Sequence, residues 1–217
     1  MGILIEHAKS SAQLQVIRNL ETEIFGGEKG ISLPPLSAPA EGKLYRLLAR
    51  DETTAAPIAT LSVAEGEMHP ELLRQRICPI RRGARVARIT RLAVCREYRG
   101  KGIHLRLLLE AHQRFIGPQR IRYTWFLYDA ARRSPSLPES MLRFQRGSGV
   151  IESEFGPCYL LCRDEFSLAA WSGNRNTWAC IDALEDASPK HEAQCAPAEA
   201  PAMGAAALPP AALPPAA

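Results

Sequence analysis

No stretch of this chain approaches the ~18 consecutive apolar residues that a membrane-spanning helix requires, so a transmembrane helix is excluded. Nor can the start, Met1-Gly2-Ile3-Leu4-Ile5-Glu6-His7, hold the apolar core of a signal peptide, because charge arrives too early. Cysteine is sparse: six residues, at 78, 95, 158, 162, 180 and 195, are too few and too scattered for a disulfide scaffold. Together these absences predict a reduced, cytoplasmic protein. Lysine is scarce as well, since 5 of the 27 basic residues are Lys and the other 22 are Arg. What the chain does have is apolar residues, 46% of 217, enough for a real core and against disorder throughout.

The charge is unevenly spread. Between residues 74 and 133 stand 16 Lys/Arg against three acids (Glu97, Glu110 and Asp129), a local balance of +13, which leaves −9 for the remainder of a chain whose net charge is +4. This asymmetry predicts an anionic partner for the middle of the chain: cofactor phosphates, an acidic carrier protein or nucleic acid. Nucleic acid fits least, because it calls for a surface stripe with exposed aromatics, whereas Phe115, Trp125 and Phe126 read as core.

At the far end, residues 193–217 hold twelve Ala and six Pro and cannot build a core, so a disordered tail is expected over 187–217. Residues 166–186 carry Trp171, Trp178 and Ile181 and read as an extension that could dock on a domain spanning 1–165. Within that domain the periodicities alternate. A strand at Ile3-Leu4-Ile5 precedes a helix with Leu14, Ile17, Leu20 and Ile24 on one face, stopped at Gly26-Gly27. Residues 44–49 and 58–63 form a hairpin about Asp51-Glu52-Thr53-Thr54. The next strand, 85–94, alternates imperfectly, which predicts a bulge near Leu92. A helix over 103–115 ends at Gly117-Pro118, and further elements follow: a strand at 123–128, a helix at 138–146 ended by Gly147, and a strand at 159–162. The layout is α/β around a mixed sheet.

The informative stretch is "LAVCREYRGKGIHLRLLLEA", where a strand passes through a basic turn into a helix. Glycines let the backbone approach a ligand, the helix start offers unpaired amides to an anion, and Arg99 and Lys101 add charge there. The spacing is neither a GxxxxGK[ST] loop nor a GxGxxG fingerprint. In this stretch, and in the order of elements over 1–163, the chain resembles the GNAT superfamily of acyl-CoA-dependent N-acyltransferases. The resemblance implies a mostly antiparallel central sheet flanked by helices. It implies acetyl-CoA or another acyl-CoA as co-substrate, with the pyrophosphate on the amides of Arg99, Gly100, Lys101, Gly102, Ile103 and His104. It also implies that the bulged strand end, Leu92, Ala93 and Val94, pairs with the pantetheine arm and that the Val94 amide polarises the thioester carbonyl.

The chain departs from the family pattern at several points. His104 stands where many members have a small residue, able to donate to a phosphate or to point outward. The stretch that should carry the tyrosine acid of many members, residues 142–150, has no Tyr, and strand 85–94 has no carboxylate base. Tyr128 and Asp129, at the end of the next strand, are the candidates for proton transfer, although a strand-end aromatic and a turn-opening Asp are also ordinary features. Cys95 reads as an inert buried thiol, and Cys158 with Cys162 has no matching pair for zinc, so no metal is expected.

Arg88-Ile89-Thr90-Arg91-Leu92-Ala93-Val94 and residues 17–30 also resemble the acyl-homoserine-lactone and N-acyl amino acid synthases, many of which take the acyl group from an acidic acyl carrier protein. Arg88 replaces the Glu that opens their motif, and the intact Arg-Gly-Lys-Gly favours CoA. A non-catalytic acyl-CoA-binding module is a further alternative. The acceptor, an amine on a small molecule or a protein, has no signature. Residues 26–42 and 65–83 are expected to shape its pocket, with Glu65, Glu67 and His69 facing a cationic acceptor or merely solvating a turn.

Overall fold

The computed structural model describes residues 2–40, 42–81, 83–130 and 144–165. Seven strands form one sheet in the order β1-β2-β3-β4-β5-β7-β6: β1 Ile3–His7, β2 Leu44–Asp51, β3 Pro57–Glu65, β4 Val86–Val94, β5 Tyr123–Asp129, β6 Gln145–Ser153 and β7 Gly156–Asp164. All neighbours are antiparallel except β4 and β5. The parallel pair follows from the connection, because the chain leaves β4, crosses one face as a helix and returns in the same direction.

Helix α1, Ser11–Glu21, begins where Ser10 and Gln13 cap each other, and it continues as a wider π turn over Thr22–Gly27. Short α2, Pro70–Arg74, is capped by the His69 ring, which accepts from the Glu71 amide at 3.2 Å. Helix α3, Ile103–Ala111, runs into a π turn over His112–Ile116. Among the described residues no helix is long and apolar enough to cross a membrane.

The two faces of the sheet bury different helices. Ile103, Leu105, Leu107, Leu108 and Ala111 of α3 pack on Leu47, Ala49, Leu61, Ala87 and Ile89, while Ile17, Leu20 and Ile24 pack on Leu48 and Ala93 of the opposite face. With each buried Leu or Ile side chain contributing about 1.5–3 kcal/mol, this packing, more than helix propensity, holds α3 on the sheet.

Two sequence expectations are corrected. Gln145 and Arg146 open strand β6 instead of closing a helix, and Gly147 lies within that strand; residues 138–143 of the expected helix lie outside the described residues. Against β7, β6 carries two extra residues between Arg146 and Val150, and a Cβ at Gly147 would run into the side chains of Gln75 and Ile77. Gly147 is therefore a residue inside a strand, packed under the ends of two side chains, and not a helix stop. The extension at 166–186 and the tail at 187–217 lie outside the described residues.

Candidate functional site

The sheet comes apart at its centre. Pairing between β4 and β5 is confined to Val86, Ala87 and Arg88 against Tyr123, Thr124 and Trp125, and beyond these residues the strands diverge. On the other side β4 stays with β3, but through a bulge: Ser62 faces Thr90 and Thr60 faces Ala93, so β4 carries one residue more than β3. Arg91 absorbs it with a φ of 52°, a conformation few non-glycine residues adopt. The extra residue flips the alternation. Leu92 and Val94 join the α3 side, and Ala93 turns to α1. Because the Cys95 amide donates to the Ile58 carbonyl at 2.9 Å, alternation turns the Val94 N–H and C=O away from β3, into the gap between β4 and β5.

The loop after β4 delivers α3 to the mouth of this gap. Gly100 and Gly102 take φ of 78° and 71°, and Gly102 is the residue from which the helix starts. Leu105 and Arg106 donate to the Gly102 carbonyl. Among the described residues, the five preceding amides, from Gly100 to His104, meet no protein acceptor, and together they form an anion cradle at the positive end of the helix dipole. Arg99 folds back: its Nε donates to the Val94 carbonyl at 3.0 Å and its Nη2 to Glu28 in the segment after α1. Lys101 places its ammonium 5.1 Å from the centre of the Tyr98 ring, whose hydroxyl donates to Asp51 at 3.3 Å.

No protein-family model matches the chain, and no curated protein matches it. Solved structures do. FeeM, an N-acyl amino acid synthase from uncultured soil microbes, superposes with a TM-score of 0.60 at 12% identity, over 82% of this chain and 98% of its own. A GNAT-family acetyltransferase from Staphylococcus aureus gives 0.52 at 11% identity over 75% and 99%, and a chain of the NatC complex bound to Gag peptide and CoA gives 0.51 at 16% over 76% and 99%. The chain has the GNAT fold. The bulged β4, the gap beside β5 and the glycine-rich start of α3 are thus parts of one GNAT-fold architecture in this protein.

Within this GNAT fold the two candidate proton carriers do not converge. Tyr128 is half-buried on the α3 side, packed with Phe126 and Tyr159, whereas Asp129 is exposed and, one residue on, projects to the other face. His104 does not point outward. It is half-buried in the first turn of α3, where burial lowers its pKa and favours the neutral imidazole. The Cys95 thiol is half-buried and pushed up by burial, which fits an inert side chain. Among the described residues no group of three or more His, Cys, Asp or Glu is arranged to hold a metal.

Glu65, Glu67 and His69 are occupied. Glu65 holds Arg85 and accepts from the Tyr45 hydroxyl at 3.3 Å. Arg88 lies between Glu67 at 2.8 Å and Glu154 at 2.7 Å, over the Trp125 ring. His69 caps α2, so none of the three is held open for a cationic acceptor. A cavity of about 780 Å³ opens elsewhere, on the α1 side, lined by His7, Lys9, Arg18, Glu21, Arg46 and Arg91 together with residues 30–36. Sequence reading passed over Glu21 and Arg46. Their signal was there: Glu21 stands four residues after Ile17 and three before Ile24, on the apolar face of α1, and Arg46 interrupts an apolar strand.

Proposed function

We propose that the chain is an N-acyltransferase that moves an acyl group from acyl-CoA to an amine by direct attack. The cradle of five consecutive unpartnered amides beside the opened strand pair carries this reading. In it, the amides of Gly100, Lys101, Gly102, Ile103 and His104 and the charge of Arg99 and Lys101 hold the pyrophosphate. The Leu92 backbone, turned away from β3, is offered to the amides of the pantetheine arm, with Ala93 turned to the α1 side; the Val94 carbonyl is held by Arg99, and the Val94 N–H is the proposed donor to the thioester oxygen as it gathers charge. A fixed donor in that position stabilises the oxyanion without reorganisation. As the C–N bond forms and the C–S bond breaks, the proton lost by nitrogen is taken by Asp129 or solvent, and the thiolate is protonated in turn, with Tyr128 as its proposed donor. A thiol ionises near pH ~8.5, so its departure asks little help. The GNAT fold, also found in a NatC chain solved with CoA, supports the donor class.

Calorimetric titration of the full chain with acetyl-CoA, a long-chain acyl-CoA and free CoA tests the proposal, with Gly102→Asp as the control. The expected result is saturable binding that is lost in a Gly102→Asp protein with an unchanged circular dichroism spectrum. No binding of any of the three by the wild-type chain would overturn the CoA reading and shift the donor to an acyl carrier protein.

A further inference from the structure

The α1-side cavity contains charges that a solvated surface cannot explain. Arg46 and Arg91 are only 8% and 7% exposed, and Glu21 is 3% exposed. One Arg91 nitrogen, Nη1, donates to Glu21 at 2.9 Å and another to the Pro34 carbonyl; Arg46 donates to the Leu36 carbonyl at 2.8 Å. These bonds leave a remainder. The Arg46 Nε–H is buried without an acceptor, and the second oxygen of Glu21 is buried without a donor. Of the charged lining residues, Lys9, Arg18, Arg46 and Arg91 face one carboxylate, a balance of +3. Burial raises the Glu21 pKa, against the pull of the Arg91 and Arg46 guanidinium groups beside it. A buried guanidinium N–H left without an acceptor is costly, and a planar fork of donors matches a carboxylate.

We infer that this cavity is a carboxylate-binding subsite centred on Arg46 and Arg91, and that the acceptor is an amine that itself carries a carboxylate. The second half of the statement rests on the acyl-transfer reading above. Placement supports it. Arg91 is the bulge residue of β4, three residues before Val94, and its side chain turns to the α1 face, opposite α3. A molecule tethered there by its carboxylate approaches the gap between β4 and β5 from the α1 side, while the CoA cradle lies at the start of α3.

The test uses the Arg Nε–Hε resonances of the full ¹⁵N-labelled chain, with the Arg46 peak assigned from its absence in Arg46→Lys. Sodium acetate, glycine, methylamine and sodium chloride are titrated at matched ionic strength, and free CoA is titrated into the same sample. The expected result is a saturable shift of the Arg46 peak with acetate and glycine and none with methylamine or chloride. Arg46→Met is expected to lose at least about tenfold in acetate affinity, as for one charge-assisted bond of about 1.5–3 kcal/mol. Should Arg46→Met fail to fold, the wild-type titration still decides. No saturable acetate shift, with CoA still binding, would overturn the subsite and leave the acyl-transfer reading standing. Acetate without glycine would overturn the acceptor class. Acetate and glycine binding without CoA binding would sustain the subsite and defeat the acyl-transfer reading.

Discussion

At Arg91 a strained backbone and a buried charge coincide. Its left-handed φ sets the bulge, and its guanidinium neutralises Glu21 in a pocket where both side chains are about 5% exposed. Removing one member of a buried pair leaves the other uncompensated, so Arg91→Met should cost about 3–5 kcal/mol in denaturant unfolding. Adding Glu21→Gln should recover part of that loss; a double variant as unstable as the single one would contradict the pairing. His104 gives a prediction in pH. Its folded pKa lies below the ordinary value of about 6.5, so the unfolded chain takes up the proton first. This histidine's contribution to stability is therefore complete above that value and is lost as the pH falls toward the folded pKa. His104→Gln should flatten that part of the stability–pH curve, and an imidazole titration midpoint at or above the ordinary value would refute the assignment.

Elements with strong periodicity were legible from the sequence alone. The hairpin, the bulged fourth strand and α3 declare themselves through apolar spacing and glycine punctuation, and with them the loop that builds the amide cradle. β6 did not, because its exposure alternates in the fold while its sequence, with Gly147, Gly149 and the adjacent Val150 and Ile151, has neither a continuous apolar run nor an apolar–polar alternation. The role of Glu65 was hidden for another reason: its partner Arg85 is brought to it by pairing of β3 with β4, which sequence spacing does not reveal. At the element scale the entry to β2 is tight. A Cβ on Gly42 would collide with the backbone carbonyl of Glu65, whose amide donates to Lys43 at 2.8 Å. Backbone cannot swing aside, so Gly42→Ala should lower stability by about 1–3 kcal/mol, read as a lower denaturant midpoint. An unchanged midpoint would mean that the β2–β3 register relaxes freely.

Across the whole molecule, the +13 middle segment is much less cationic in three dimensions than in sequence. Arg85, Arg88, Arg91, Arg99 and Arg122 are bound to Glu65, Glu67 with Glu154, Glu21, Glu28 and Asp164, acids that all lie outside the segment. Among the described residues, the fold thus brings six acids from outside the segment against five of its arginines. Nonspecific binding of duplex DNA, which needs free cations to displace counterions, should be absent at about 0.15 M salt in a mobility-shift assay. Retention of DNA under those conditions would show that the pairing does not hold in solution. The parted strands have one more consequence. An unpaired strand edge normally invites any passing polypeptide to add itself to the sheet. Here the open edge is interior, roofed by α1 on one face and α3 on the other. Such a slot discriminates by thickness: a slender chain bearing amides presents less bulk to it than a second protein strand with its two rows of side chains.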